Sequence, residues 1–202
     1  MPTPKLTWAA LVLGSLFMAG CCVQAAAATN PTAGASAAAH DGSHDFDFEL
    51  GYWHIHLKKL LHPLSGAHDW VEYDGTTRTR SLWGGGAEIE EFNVKGSNGA
   101  IQGLTLRVYN PQSGQWSLYW STPRIGQIGG PPNVGEFKNG IGYFYCWDTY
   151  NGRYVFERFE WSRVNTDTPH FEQSFSDDGG KTWEVNWITD QTRIAKVPTG
   201  MQ

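Results

Sequence analysis

The sequence predicts an all-β domain, an up-and-down antiparallel meander closed into a barrel of about ten strands. Three observations predict it. Alternating runs of residues are separated by turn signals, among them Asn98-Gly99, Asn139-Gly140 and Asn151-Gly152, which favour tight hairpins between neighbouring strands. The composition, with ten Trp, 24 Gly and only 17% charged residues, suits strands and turns. Beyond residue 25, no segment has the apolar repeat of a helix.

The strands are expected between the turn signals. An open sheet of this width would expose two edges, and closure into a barrel removes both. The barrel is therefore assigned to residues 45–196, followed by a short tail at 197–202. The predicted strands are 51–60, 69–80, 87–94, 100–109, 115–121, 133–138, 141–150, 153–162, 170–176 and 182–193.

The hairpins also assign side chains to faces, because a two-residue turn fixes which residues pair across it. Around Asn139-Gly140 and Asn151-Gly152, this register turns one mainly apolar face toward the interior. The last predicted hairpin contributes a second such face. The residues expected to line a ligand-binding interior are Phe144, Cys146, Glu157, Phe159, Trp161, Phe171, Gln173, Trp183 and Trp187.

Residues 1–25 are interpreted as a signal peptide, with a short apolar run that cannot span a membrane. Met18-Ala19-Gly20-Cys21 resembles a bacterial lipobox and predicts a lipid on Cys21, while plain cleavage after Ala25 is the alternative. Residues 26–44 are rich in Ala, Gly, Ser and Thr and are expected to form a disordered tether. The protein is therefore expected to be exported, in the periplasm or held on the outer membrane by the lipid alone.

Charge and cysteine content narrow the classes of function. The formal net charge of −5 offers no basic stripe, so no nucleic-acid partner is expected. Cys146 is alone in the predicted domain, so no internal disulfide is expected. With no histidine beside it in sequence, Cys146 is interpreted as a small buried residue rather than a nucleophile.

Two pairs of residues are candidates for chemistry. Glu157 and Asp148 fall on the interior face, where burial raises the pKa of a carboxyl and suits it to acid–base catalysis. His54 and His56 share one face of the first strand, as two metal ligands would. Trp53 alternates with them and is expected to face the core, which places both histidines outside and makes the metal site the weaker interpretation.

Gly51-Tyr52-Trp53 opens the first strand and resembles the Gly-x-Trp signature of the calycins, which include lipocalins, fatty-acid-binding proteins and nitrobindin-like barrels. The number of strands looks most like the nitrobindin type. Leu82–Gly85 and Ser174–Trp187 also look like segments of a family of uncharacterised exported bacterial domains. One calycin branch binds haem through a histidine on its last strand. Residues 182–193 contain no histidine, so no haem or other cofactor is expected.

Ser176–Trp183 matches the Asp-box pattern S-x-D-x-G-x-T-W that is familiar from sialidase propellers. A single copy is interpreted as a structural hairpin in which the aspartate caps backbone amides of the turn.

These observations predict a barrel that binds a small apolar or aromatic ligand in its interior. A barrel enzyme, such as an isomerase, lyase or hydrolase that uses Glu157 or Asp148, is the first alternative. An envelope module that recognises a protein or glycan through surface aromatic residues is the second.

Overall fold

Residues 41–196, which the computed structural model describes, form a closed barrel of ten antiparallel strands. Neighbouring strands pair in chain order, and the first pairs with the tenth to close the barrel. The all-β meander predicted from the sequence is thus confirmed. The strands are β1 (Gly51–Leu60), β2 (Trp70–Leu82), β3 (Ala87–Gly96), β4 (Gly99–Asn110), β5 (Gln115–Ser121), β6 (Gly129–Lys138), β7 (Ile141–Tyr150), β8 (Arg153–Ser162), β9 (His170–Ser176) and β10 (Glu184–Ala195).

The turns after β6 and β7 have the predicted geometry. Asn139 and Asn151 have φ values of 54° and 49°, and the glycine after each also has positive φ, as a type I′ turn requires. These turns fix the predicted register, in which Cys146 pairs with Glu157. The face assigned to the interior on these strands therefore does point inward.

The turn between β3 and β4 differs from the other two Asn-Gly turns. Ser97 and Asn98 form the turn, Gly96 pairs with Gly99, and of these residues only Gly99 has positive φ, 100°. Gly99 is thus the first residue of β4 and does not belong to the loop. The loop therefore lies one residue earlier than the Asn-Gly pair predicted.

A β-bulge in β10 changes the face of the residues that precede it. Trp187 pairs with Gln173, but the next pair is Val185 with Ser174, so Asn186 is the extra residue. An extra residue shifts the alternation of side chains by one position. Trp187 and Gln173 keep their predicted interior positions, whereas the residues before the bulge exchange faces.

Trp183 precedes this bulge and lies outside the barrel. Its ring packs against the rings of Phe156 and Tyr145, at centroid distances of 5.5 and 6.2 Å. The guanidinium of Arg158 lies over it at 4.7 Å. The prediction that Trp183 faces a ligand in the interior is therefore wrong, because the unbroken alternation on which it rested is interrupted at the bulge.

The segment before β1 closes one end of the barrel. It contains a single turn of 3-10 helix, Asp47–Glu49. Phe46 is completely buried and meets Trp116 edge to face, with ring centroids 5.2 Å apart. Nη2 of Arg193 on β10 donates a hydrogen bond to the Phe48 carbonyl (2.9 Å). These contacts hold the segment across the barrel end, so the interior is sealed there.

Two clusters of buried side chains occupy the interior. The first lies against the N-terminal segment and consists of Phe46, Trp116, Leu118, Phe144, Trp161 and Val164. The second lies on the wall formed by β1 to β3 and consists of Trp53, Ile55, Leu57, Tyr73, Phe92 and Val94.

The predicted signal peptide, its candidate lipid site Cys21, most of the predicted tether and the tail at 197–202 lie outside the described residues. The end of the predicted tether, residues 41–44, is described and contacts the barrel, where Nε1 of Trp116 donates a hydrogen bond to the Gly42 carbonyl (2.9 Å). No helix in residues 41–196 is both long and apolar enough to cross a membrane.

Candidate functional site

A cavity of about 310 Å³ lies between the two buried clusters, and its walls come from β3 to β10. Its apolar lining contains Phe92, Leu118, Trp120, Phe159, Trp161, Phe171 and Trp187. Its polar lining contains Glu90, Thr105, Arg107, Asn133, Glu157, Gln173, Thr189 and Gln191. Aromatic walls with a few polar groups are typical of sites for small organic ligands.

The cavity opens at the barrel end opposite the N-terminal segment. Ile125 of the β5–β6 loop, Gly130, Pro131 and Asp148 line the cavity and are exposed to solvent. At the closed end, Arg107 is buried with its guanidinium 4.9 Å from the ring centroid of Phe46. A ligand would therefore enter past the β5–β6 loop and move toward Arg107.

The structure brings together most of the residues expected to contact a ligand. Those that line the cavity are Glu157, Phe159, Trp161, Phe171, Gln173 and Trp187. Phe144 faces inward as predicted, but it is buried in the first cluster beneath Phe46 (5.4 Å between ring centroids). Cys146 also faces inward and is covered by Glu157, while Trp183 is outside. Phe144 and Cys146 therefore support the wall and do not line the space.

Glu157 is the buried carboxyl of the cavity wall, with 8% of its surface exposed. Sγ of Cys146 donates a hydrogen bond to its Oε2 (3.3 Å). Burial raises the pKa of Glu157 to about 7; Cys146 and Asn133 lower it in part, and the negative charge of Asp148 raises it further. Both protonation states are then populated at neutral pH, so this carboxyl can donate or accept a proton.

Cys146 is held as a neutral thiol. Burial and the neighbouring carboxyl of Glu157 raise the pKa of the thiol far above its ordinary value. A protonated thiol is a poor nucleophile, so Cys146 positions Glu157 by its hydrogen bond and does not itself attack a substrate.

Asp148 is on the predicted face, but it is exposed at the mouth instead of buried. Its Oδ1 accepts a hydrogen bond from the backbone amide of Thr149 (2.7 Å). Asp148 still pairs with Val155 of β8, but it lies beyond Tyr145, the last residue of β7 that pairs with β6, so water reaches the carboxylate. The expectation that Asp148 is buried in the interior is therefore wrong.

A second group of charges lies at the closed end and was not predicted from the sequence. Nη2 of Arg107 is 2.7 Å from Oε2 of Glu90 and 3.5 Å from Oε2 of Glu49, and Nη1 is 3.5 Å from Oε2 of Glu88. All four residues are at least 95% buried. Three carboxyls around one guanidinium cannot all be ionised at this depth, because the excess negative charge would have no water to solvate it.

Two of these carboxyls, those of Glu49 and Glu88, have raised pKa values. Burial raises the pKa of Glu49 to about 8, although the positive charge of Arg107 lowers it in part. Burial likewise raises the pKa of Glu88 well above its ordinary value, against the attraction of Arg107. Glu90 is the closest partner of Arg107 and pairs with its Nη2 at 2.7 Å. With a pKa of about 8, Glu49 is mainly protonated at neutral pH.

The sequence contains a pattern that predicts the buried charges around Arg107. Glu88, Glu90, Phe92 and Val94 occupy every second position of β3 and therefore share one face. The apolar side chains of Phe92 and Val94 mark this face as the inner one. Arg107 pairs directly with Glu88 across the hairpin. The face assignment used for the later hairpins, applied to this one, places all three polar residues inside.

His54 and His56 lie on the outer face of β1, as predicted. Nδ1 of His56 is 3.1 Å from Oδ1 of Asp74, and Nε2 of His54 is 3.8 Å from the same oxygen. Both histidine side chains are partly exposed. In the described part of the chain, no set of three or more His, Cys, Asp or Glu residues is arranged to hold a metal ion.

A row of stacked aromatic rings runs along the outer face of β7 and β8. Trp147 stacks on Phe156 with centroids 4.7 Å apart, and Phe156 stacks on Tyr145 at 5.5 Å. Trp147 is 58% exposed. This row is the surface to which the hypothesis of protein or glycan recognition applies.

The closed meander and its interior cavity define a class of protein, the calycin-like β-barrels. Among solved structures, the chain is similar to the S-type phycobiliprotein lyase CPES from Guillardia theta. The TM-score is 0.52 at 11% sequence identity, and the match covers 76% of this chain and 93% of that chain. At this identity the likeness shows the fold alone, and it confirms the calycin-like barrel predicted from Gly51-Tyr52-Trp53. No protein-family model matches the chain, and no curated protein is similar to it in sequence.

Proposed function

We propose that the barrel binds a small aromatic or apolar molecule in its interior. The observation that carries the proposal is the cavity of about 310 Å³, open at one end and with an apolar wall that consists mainly of aromatic rings. Binding sites for small molecules have volumes of roughly 300–1,000 Å³, so this cavity suits a ligand of one or two fused rings. Such rings favour edge-to-face and offset contacts with aromatic walls.

Burial of apolar surface supplies the affinity of such a complex. Each Å² removed from water contributes roughly 25 cal/mol, less the cost of immobilising the ligand. The polar side chains of Gln173 and Glu157 provide hydrogen-bonding groups that orient the ligand. The closed end already holds its rings in fixed contacts, so the site is largely formed before a ligand arrives.

The test uses the neutral fluorescent probe N-phenyl-1-naphthylamine with the purified protein. We expect the probe to bind, with increased emission and quenching of the protein's tryptophans. Thr105→Trp places a large ring in the cavity wall and is expected to lower the affinity at least about ten-fold. Thr76→Trp adds the same ring to the exposed outer face of β2 and should leave binding unchanged.

Equal probe binding by the two tryptophan variants, each folded by circular dichroism, would mean that the probe binds outside the barrel. A lack of binding by the wild-type protein to any member of a broad hydrophobic panel would contradict the proposal altogether.

A second candidate is a barrel enzyme, favoured by the pKa of about 7 for Glu157 in the cavity wall. In this alternative Glu157 exchanges a proton with a bound substrate. Mass spectrometry after incubation of the wild-type protein and Glu157→Gln with each compound that binds separates the two functions. A product formed only by the wild-type protein identifies an enzyme, and unchanged compounds identify a binding protein.

We further propose, from the sequence of residues 1–25, that the protein is exported and anchored by a lipid on Cys21. Because residues 182–193 contain no histidine, we also propose that the protein carries no haem. Cys21→Ala is expected to move the protein from the membrane fraction to the soluble fraction. A soluble wild-type protein whose N-terminus lies near Ala26 would contradict the anchor, and a Soret band that copurifies with the protein would contradict the absence of haem.

A further inference from the structure

The charges at the closed end of the cavity are engaged with one another. Arg107 is the one basic residue among those that line the cavity, and it is surrounded by the carboxyls of Glu49, Glu88 and Glu90. An anionic ligand group would have to compete with these three carboxyls for the guanidinium. This end of the cavity therefore does not select for a negative charge.

The other two carboxyls that line the cavity, those of Glu157 and Asp148, have no cationic partner in the described part of the chain. Neither Glu157 nor Asp148 forms an ion pair with a Lys, Arg or His within residues 41–196. Asp148 is exposed at the mouth and Glu157 is buried further in, on the neighbouring strand, so the two mark one side of the path that a ligand follows. A carboxylate that is buried without a cation is costly, and a ligand with a positive charge would remove that cost.

Aromatic rings lie beside this carboxyl. Phe159 is on the same strand and meets Phe171 edge to face, with ring centroids 5.2 Å apart, and Trp161 is 4.9 Å from Phe171. Faces of aromatic rings attract organic cations as well as apolar groups. The same wall can therefore hold the ring of a ligand and stabilise a charged nitrogen beside it.

We propose that the cavity selects an aromatic amine, with its ring among the aromatic side chains and its protonated nitrogen on the carboxylate of Glu157. This inference rests on the proposed function and names the chemical class of the ligand. The ammonium group donates to the carboxylate, and Asp148 at the mouth attracts the same charge during entry.

The charged and titratable groups around Glu157 define how binding responds to pH. Cys146 and Asp148 on β7 are its nearest titratable neighbours, and Glu90 and Arg107 line the cavity from β3 and β4. Lys59 lies over the ring of Trp187, which lines the cavity, at 5.5 Å, and Arg124 is close enough to Lys59 for the two positive charges to repel. These two cations repel a positive ligand, whereas the carboxylates of Asp148 and Glu157 attract it.

The test compares three probes of matched shape by isothermal titration calorimetry at pH 8. They are 2-naphthylmethylamine, which is cationic, 2-naphthylmethanol, which is neutral, and 2-naphthoate, which is anionic. We expect the amine to bind at least about ten-fold more tightly than the alcohol, as a charge-assisted hydrogen bond implies. We expect the anion to bind most weakly.

Glu157→Gln removes the charge and keeps the shape, and it is expected to abolish the advantage of the amine over the alcohol. Glu160→Gln is the matched control, because Glu160 lies on the outer face of the same strand, 3.5 Å from Arg158. The control should keep the wild-type order of affinities.

A measurement on the wild-type protein keeps the inference testable if Glu157→Gln does not fold. Because the pKa of Glu157 is about 7, affinity for the amine should rise about ten-fold from pH 6 to pH 8 as the carboxyl ionises, with release of a proton near pH 6. The alcohol should show neither effect.

The possible outcomes distinguish this inference from the proposed function. If the alcohol binds as well as the amine, or if amine affinity is independent of pH, the inference is overturned and the binding function stands. If tighter binding of 2-naphthoate is observed, the cavity selects anions through Lys59 and Arg124, and the inference is equally overturned. If none of the three probes binds, the inference is overturned, and the proposed function fails as well only when no member of the broad hydrophobic panel binds.

Discussion

Arg107 links the N-terminal segment to the barrel wall through its charge. Its guanidinium pairs with Glu90 on β3 and reaches Glu49 before β1, and its flat face lies over Phe46. Lysine would not replace it, because a single ammonium cannot stack on a ring while it contacts several carboxyls. One residue therefore closes the cavity floor and fixes the segment that covers it.

Substitution of Arg107 should be strongly destabilising. Arg107→Gln leaves the carboxylate of Glu90 buried without its cation, and loss of one partner from a buried pair costs about 3–5 kcal/mol. The free energy of unfolding in urea measures this cost. Arg153→Gln is the control, because the ion pair of Arg153 with Asp177 is about half exposed and is worth at most about 1 kcal/mol. Equal costs for the two variants would show that the buried group does not support the fold.

The turn between β9 and β10 depends on Asp178. Its carboxylate accepts hydrogen bonds from the backbone amides of Lys181 and Thr182 (3.0 Å each), the Thr182 hydroxyl (2.7 Å) and the Ser176 hydroxyl (2.7 Å). These bonds, those of Thr182 first, hold the pKa of Asp178 well below its ordinary value. The Asp-box pattern is therefore a structural hairpin here, as its turn chemistry predicts, and it sets the position of Trp183 on the outer face.

Asp178→Ala is expected to lower the melting temperature of the protein at pH 7, because several turn amides lose their acceptor. The stability that the depressed pKa represents is present above the unfolded value of about 3.9 and is lost as the pH falls toward the lower folded value. The difference between the variant and the wild-type protein should therefore shrink in melts below about pH 4. Asp177→Ala, one residue away, removes only an exposed ion pair, and an equally large effect of this change would argue against the capping role.

Across the whole molecule, the folded barrel binds more protons than the unfolded chain does in the range around neutral pH. Burial raises the pKa values of Glu49, Glu88 and Glu157, so the folded protein holds them protonated where the unfolded chain would release them. Between the ordinary value of 4.5 and the folded values of about 7 and 8, the folded state binds more protons than the unfolded state. The free energy of unfolding therefore falls as the pH rises through this window.

The melting temperature should be highest near pH 5 and should decline steadily toward pH 9. Thermal melts across this range, followed by circular dichroism, measure the decline. Glu49→Gln replaces a carboxyl that is mainly neutral at pH 7 with a neutral amide, so it should flatten the profile above pH 6. A stability that rises from pH 5 to pH 9 would contradict the protonated state of these carboxyls.

The positions of the strands and the interior face of β7 and β8 followed from the sequence alone. Local rules are sufficient there, because Asn139-Gly140 and Asn151-Gly152 favour one type of turn. The two-residue period of a strand then determines the face on which each side chain of β7 and β8 lies. The same rules placed Glu157 inside and predicted its raised pKa. They failed for Trp183, because a bulge is a local insertion that the alternation of residues does not reveal.

Only the tertiary structure decided how the interior is divided between packed core and cavity. Phe144 and Phe159 are cross-strand neighbours of the same chemistry, yet Phe144 is covered by Phe46 from the N-terminal segment, while Phe159 lines the open space. Likewise, the two-residue period of a strand predicts that a glutamate faces the interior, but its charge depends on partners from distant segments. Glu49 and Arg107, for example, are far apart in the chain. The sequence determines which face each strand buries because that pattern is local. Whether the buried face is filled, hollow or charged depends on contacts between distant segments, and these exist only in the closed barrel.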